Sequence, residues 1–415
     1  MSIISDMVQN AGGFGIESLD EFTGNPTDFH DSMEAISCDV EEAYSSLTDN
    51  DIAMSAITSS YEELDEILTD LEVSSESLSS TATTLVGRQV RNALKPFGEG
   101  FCSGVSVSAE GIGDTLKSIW QTIKNAVVRS IAAVMNFFSK LFQGWKKIQA
   151  RAEAIKKTAA GTTSVKDSAV KVKYISAMAF KGLTTPAAIL EGGEALADLS
   201  EEHMTTYGDM SQAYSELTLG ILTDAKSGAG YTKTLFGKFR AAHLALIKSH
   251  AKYNDIPGSN TITTLTDAQL MATDGAAEAM EAVAIVNTAI SMLPKIGKST
   301  TYRKVDEAQA ITRMPAADIV KLMDATIKIA KTLSEMKVAR EKSSAERKSA
   351  IAAADVIISA SDKNIFQRGW NKGKIRIMTR MLSKDINKSS NQLNKIAFSA
   401  CRGYVSLAES TLSSK

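Results

Sequence analysis

The stretch PKIGKST at 294–300 has residue types that bind phosphate, a lysine and a hydroxyl placed just after a glycine. A phosphate-binding loop also needs a glycine five positions before Gly297, and Met292 stands there. The loop follows a strand, whereas the segment before 294 is predicted to be helical. We therefore interpret the stretch as a turn that ends a helix.

Histidines are the next candidates, as metal ligands or catalytic bases. His243 and His250 are seven residues apart, on one face of a predicted helix, but no third ligand is near them in the sequence. His30 and His203 are isolated. No Ser-His-Asp or Cys-His pairing can be placed. The sequence therefore predicts no catalytic residue, no metal site and no cofactor, and we do not expect an enzyme.

The sequence does suggest that the chain is the substrate of a protease. Residues 96–113, PFGEGFCSGVSVSAEGIG, contain one proline and five glycines and are interpreted as a linker. Within it, Ser108, Ala109, Glu110 and Gly111 form a candidate processing site for a protease that cuts before the glycine. Exposed, extended backbone of this kind is what proteases cut.

The processing motif by itself is short. S-x-E also occurs at 32–34 and 74–76, and a second S-A-E at 344–346 lies inside a predicted helix. The position of 108–110 sets it apart, because the charge of the chain reverses there. Residues 1–110 hold 21 acidic and 3 basic side chains, a net charge of −18, whereas residues 111–415 hold 43 basic and 27 acidic ones, a net charge of +16.

The charge reversal divides the chain into an acidic segment, 1–110, and a basic segment, 111–415. A short linker holds the acidic segment near the basic segment at an effective concentration of order mM. The acidic segment therefore competes with phosphates for the lysines and arginines of the basic segment. Cutting the linker is then expected to free lysines and arginines for phosphate, with little change in stability.

A long amphipathic helix is predicted to open the basic segment, over about 114–158. Its apolar residues recur three and four apart, and no acid occurs between Asp114 and Glu153. Three interpretations stay open: a core face with solvated bases, a membrane-surface helix over 114–150, or phosphate contact. The residues concerned are Trp120, Arg129, Phe137, Phe138, Lys140, Phe142, Trp145, Lys146 and Lys147.

A second basic stretch lies at 363–388, with Phe366 and Trp370 among its bases and Asp385 as its one acid. Such density is typical of a polyanion-binding surface, although a merely soluble face is the alternative. The candidate polyanion-binding residues are Lys363, Arg368, Lys372, Lys374, Arg376, Arg380, Lys384 and Lys388.

The composition and the apolar spacing predict an all-α fold of elongated antiparallel bundles with little or no β structure. In the acidic segment the apolar positions are Ile52, Ile57, Leu64, Ile67, Leu68 and Leu71. Helices are expected at about 28–48, 51–72, 74–86, 163–183, 186–224, 231–254, 264–292, 315–360 and 375–412.

The sequence also carries expectations about where the chain is made. Its first residues lack the features of a secretory signal, and no apolar run reaches the about 18 residues that span a bilayer. Its three cysteines are odd in number and widely spaced. We expect synthesis as a soluble protein in a reducing compartment.

In its organisation the chain resembles the internal head proteins of phiKZ-like giant tailed phages. The resemblance lies in an acidic N-terminal segment, an S/A/G-x-E site at 108–110 followed by Gly111, and a helical, basic remainder. It implies a non-enzymatic virion component, made in the host cytoplasm and packaged in the capsid interior.

The resemblance also implies partners. These are phage DNA, bound nonspecifically, the prohead protease that removes the propeptide, and other capsid-interior proteins. The alternative function is a membrane-active helical protein that its acidic part keeps inactive.

Overall fold

The computed structural model describes residues 26–73, 80–95, 108–165, 168–223, parts of 237–248, 310–360 and 388–413. Seven α-helices, one short 3₁₀ helix (Phe180–Gly182) and two short strands can be delimited in these ranges. The α-helices and strands are α1 (Pro26–Val73), α2 (Ser80–Leu94), α3 (Ala109–Ala160), β1 (Ala169–Lys171), α4 (Ile175–Met178), α5 (Pro186–Thr223), β2 (Ala310–Thr312), α6 (Ala316–Ala360) and α7 (Lys388–Leu412). The all-α prediction is confirmed.

The acidic segment is organised differently from the prediction. Helix α1 is continuous from Pro26 to Val73, although two helices were expected there with a break at about 49–51. A proline suits the first turn of a helix, because the amide that it lacks has no partner there. Ile52, expected on the apolar face, is 65% exposed.

Helix α3 is the central element of the described structure. It packs against α1, α6 and α7, and α1 also packs against α2. Two groups of buried apolar side chains result. The main core joins α1, the C-terminal part of α3, α5, α6 and α7, and the distal core joins α1, α2, the N-terminal part of α3 and Ala350 of α6.

The segment predicted as a helix over 163–183 is mostly not helical. Strand β1 pairs there with β2 in antiparallel orientation, with Val170 opposite Ile311. Tyr174 then takes a left-handed backbone conformation before the four residues of α4. The strand partner is about 140 residues away in sequence, so local periodicity gives no sign of the pairing.

The helices predicted at 186–224 and 315–360 are confirmed as α5 and α6. Within 231–254, the described residues between 237 and 248 are helical. The helix predicted at 375–412 is seen from Lys388 to Leu412. The one predicted at 264–292 lies outside the described residues. In the described ranges, no helix has both the length and the apolar character needed to cross a bilayer.

Candidate processing site and its setting

Ser108 caps the N-terminus of helix α3. Its backbone is extended, its Oγ accepts a hydrogen bond from the Gly111 amide at 3.1 Å, and its carbonyl accepts one from the Ile112 amide at 2.9 Å. A serine cap satisfies amides that the first turn of a helix otherwise leaves without partners. The first residue of the predicted processing site is therefore also a structural element of the helix.

The candidate bond, Glu110–Gly111, lies inside the first turn of α3. The linker prediction is thus wrong for 109–113, which are helical, while 96–107 lie outside the described residues. Thr115 Oγ1 donates to the Gly111 carbonyl at 2.8 Å, and Ile112 is fully buried in the distal core. A protease that reads extended backbone can reach this bond only after the first turn unwinds.

A signal in the sequence could have located this helix start. A serine directly before an apolar periodic run is a common N-cap, and Ser108 precedes Ile112, Leu116 and Ile119 with that spacing. The glycines at 111 and 113 suggested a linker instead. Buried packing of Ile112 and Leu116 in the distal core outweighs the low helix propensity of these glycines.

Helices α1 and α3 run antiparallel, and polar contacts fix their register. Lys140 Nζ lies 2.7 Å from Asp39 Oδ2, and Lys147 Nζ donates to Ser32 Oγ at 2.6 Å. Ser32 precedes Asp39 by seven residues in α1, and its partner Lys147 follows Lys140 by seven residues in α3. The two helices therefore lie side by side over these turns.

Apolar contacts follow the same register. The rings of Tyr44 and Phe137 are 5.8 Å apart. A Cβ added at Gly144 would lie 3.2 Å from Cγ2 of Ile36 and only 2.4 Å from the Phe398 ring. Gly144 thus lets α1 and α7 approach α3 at the same level. The acidic segment is built into the main core, so apolar packing as well as charge attaches it to the basic segment.

The Glu409 carboxylate of α7 contacts side chains of both α1 and α3. His30 Nε2 of α1 lies 2.7 Å from Glu409 Oε2, and Arg151 Nε of α3 lies 2.5 Å from Glu409 Oε1. The side chains of Arg151 and Glu409 are about nine-tenths buried. The three residues are distant in the chain, so local sequence patterns do not connect them.

Comparison with protein families identifies the chain. Residues 39–410 match the family described as phiKZ-like phage internal head proteins. The chain belongs to this family. The match starts within α1 and ends within α7, so it spans the predicted cleavage site. A comparison with curated proteins found no match, and a comparison with solved structures found none either.

The family places this internal head protein in the capsid interior of the virion. Its long helix α3 buries the aromatic side chains that were considered for a membrane surface. Trp120, Phe137, Phe138 and Trp145 are all less than 5% exposed. These aromatic side chains form part of a core face of the helix, and membrane contact by 114–150 stays a prediction.

Several bases of α3 have partners in this internal head protein. Trp120 Nε1 donates to Asp355 Oδ1 of α6 at 2.8 Å, and Lys124 Nζ lies 3.0 Å from the same oxygen. Lys146 Nζ lies 4.6 Å from the centroid of the Phe142 ring. Arg129 and Lys146 are exposed. Phosphate contact by these two bases stays a prediction.

Most of the second basic stretch of the internal head protein, 363–388, lies outside the described residues. Lys388 is the first residue of α7. The other candidate polyanion-binding residues lie outside the described residues, namely Lys363, Arg368, Lys372, Lys374, Arg376, Arg380 and Lys384. His243, His250 and the 294–300 stretch also lie outside them. In the part that is described, no group of three His, Cys, Asp or Glu side chains could hold a metal ion.

Proposed function

We propose that this internal head protein is a non-enzymatic structural component packaged beside the phage DNA. In this proposal the prohead protease cuts the chain between Glu110 and Gly111, and residues 111–415 contact DNA without sequence preference once the acidic segment has left them. The family supports the setting, because its members are internal head proteins. The charge reversal at the candidate site supports the cut.

Electrostatics supports a role for the acidic segment as a shield. Asp39 and Glu41 of α1 pair with Lys140 of α3 and Lys395 of α7, at 2.7 and 2.6 Å. The described residues 26–73 and 80–95 hold 14 acidic and 3 basic side chains, so they bring a net charge of −11 close to the basic segment. Negative charge beside the lysines and arginines repels phosphates and so weakens binding to DNA.

Contact with DNA follows from the net charge of +16 on residues 111–415. Lysine and arginine that neutralise phosphates release condensed counterions, and this release drives sequence-independent binding. No recognised nucleic-acid-binding motif is present in the sequence, so shape or base readout is not part of the proposal. Binding of this kind weakens steeply as salt increases.

A gel-shift titration tests the proposal. Protein purified from virions should retard duplex DNA at about 50 mM salt and release it at several times that concentration. The full-length precursor should bind more weakly under the same conditions. A virion protein that fails to retard DNA at about 50 mM salt contradicts the proposed contact with DNA.

A further inference from the structure

We propose that α1 and α2 stay bound to α3 as a separate chain after the backbone is cut at Glu110. The interaction surface is the face of α3 between Ile112 and Arg151, and its partner is the acidic segment of the same molecule. The proposal rests on the proposed function only for the position of the natural cut.

The pairing of α1 with α3 extends along almost all of both helices. Contacts of Asp39 with Lys140 and of Ser32 with Lys147 set an antiparallel register. Continued toward the C-terminus of α1, this register brings Leu68 level with Ile112, and both are buried in the distal core. Helix α1, with 48 residues, is about 72 Å long.

The buried apolar side chains of α1 form one stripe along the helix. They recur at alternating steps of four and three residues, or at multiples of this repeat, which is the spacing of helices that pack along their length. The stripe consists of Phe29, Met33, Ile36, Val40, Ala43, Leu47, Met54, Tyr61, Leu64 and Leu68. Such a stripe holds two helices together whether or not a linker connects their ends.

The distal core depends on the acidic segment. Among the described residues, all of its buried members except Ala350 come from 54–94 or from 112–131. Departure of α1 and α2 would therefore leave the N-terminal part of α3 without half of its core, and Ile119 and Ile123 are now fully buried there. Exposing these side chains to water is unfavourable, which opposes separation.

Ion pairs contribute little to this retention. The side chains of Lys140 and Asp39 are 38% and 47% exposed, and pairs between exposed side chains are weak and are screened by salt. Retention through the apolar stripe predicts a complex that survives high salt. A purely electrostatic attachment predicts separation.

The cut removes only the advantage of a covalent tether, an effective concentration of order mM. If the two fragments are to stay together at low micromolar protein, the dissociation constant between them must therefore be lower than the protein concentration. Release of the acidic segment then needs a further event. The S-x-E sequences at 74–76, between α1 and α2 in the chain, and at 32–34, within α1, are the candidate positions for further cuts.

The test uses the full-length chain with the recognition sequence of a specific protease inserted after Ser103. The protein is folded, cut completely and run on a size-exclusion column at about 1 µM, once at low salt and once at about 1 M NaCl. Both fragments should elute together, at the volume of the uncut chain, in both runs. Separate elution of the acidic fragment at either salt concentration overturns the proposal.

A matched pair of variants shows that the apolar stripe causes the retention. Leu64→Asp places a charge in the distal core, whereas Ile52→Asp places it on the exposed side of the same helix. After the cut, the Leu64 variant should lose at least tenfold in affinity between the fragments, and the Ile52 variant should behave like wild type. Equal behaviour of the two variants overturns the assignment of the interface. Because the inserted site is independent of the phage protease, the outcome does not depend on whether Glu110 is the natural cleavage position.

Discussion

Lys140 and Asp39 lie on opposite sides of the predicted cleavage bond in sequence, yet their charged atoms are 2.7 Å apart. The pair links α1 of the acidic segment to α3 of the basic segment. Both side chains are substantially exposed, so the pair reports the register of the helices more than it stabilises them.

Substitutions in α1 should separate the apolar contribution from the ionic one. Leu64→Ala removes a fully buried side chain and should lower the free energy of unfolding by about 2–5 kcal/mol. Asp39→Asn should lower it by less than about 1 kcal/mol. Urea unfolding monitored by circular dichroism measures both, with Ile52→Ala as an exposed control on the same helix. A larger loss for Asp39→Asn than for Leu64→Ala contradicts the packing described here.

Ser108→Ala should make the chain a better substrate for the prohead protease. Alanine keeps the S/A/G-x-E pattern but removes the cap on the Gly111 amide, at a cost of about 1 kcal/mol to the helix end. The unwound turn should then be about fivefold more populated and be cut faster in proportion. A time course followed by mass spectrometry gives the rate.

The control for this experiment is Ser344→Ala, the same change in the S-A-E copy that lies within α6. It should not alter the cleavage rate at Glu110. A slower cut in the Ser108 variant would show that the protease reads the serine side chain itself, and not an unwound turn.

The two cysteines in the described residues should differ sharply in reactivity. Cys38 is exposed on α1 and Cys401 is fully buried in α7, where burial raises the pKa of its thiol. In a Cys102→Ser chain, a thiol reagent at pH 8 should modify Cys38 at once and Cys401 only on unfolding. Rapid modification of both thiols in the native chain contradicts the burial of α7.

The raised pKa of Cys401 also gives a dependence of stability on pH. Below the thiol pKa of the unfolded chain, about 8.5, the group is protonated in both states and has no effect. Above it, the unfolded chain loses the proton and the folded chain keeps it, so stability falls as the pH rises. The difference between the unfolding midpoints at pH 7.5 and pH 9.5 should therefore be smaller in a Cys401→Ala variant than in wild type.

Replacing the eight candidate polyanion-binding residues of 363–388 by glutamine should weaken DNA binding by the full-length chain. Each base that contacts a phosphate contributes about 0.9 to the slope of log affinity against log salt, so the slope should become less steep by several units. Filter binding at a series of salt concentrations measures this slope. An unchanged slope contradicts the assignment of these residues to DNA contact.

The control for the DNA experiment is a chain with Arg129→Gln and Lys146→Gln, two exposed bases of α3. Its slope should change by less than about 2. If the slope of the control variant decreases more than that of the eight-residue variant, the DNA contact is assigned to α3 and not to 363–388.

The sequence was most informative where one element carries its own signals. Pro186 marks the start of α5, and regular apolar spacing predicts α6. The amphipathic pattern of α3 also identifies Trp120 and Trp145 as members of one face. For these helices, local propensity and burial agree, and the predictions were confirmed.

Predictions failed where distant segments decide the local structure. Helix α1 crosses 49–51 without a break, because buried residues on both sides, Leu47 and Met54, pack in the two cores. Strand β1 forms only because β2 pairs with it. The start of α3 depends on packing of Ile112 that its neighbouring glycines do not reveal. The contacts that attach the acidic segment were likewise invisible in the charge count alone.

The N-terminal residue and intact mass of the protein recovered from virions test the central claim most directly. Cleavage at Glu110 predicts that the large chain begins at Gly111, whether or not fragments of 1–110 accompany it. A large chain that still begins at Met1 or Ser2 would contradict cleavage at the charge reversal, and with it the proposed role of the acidic segment.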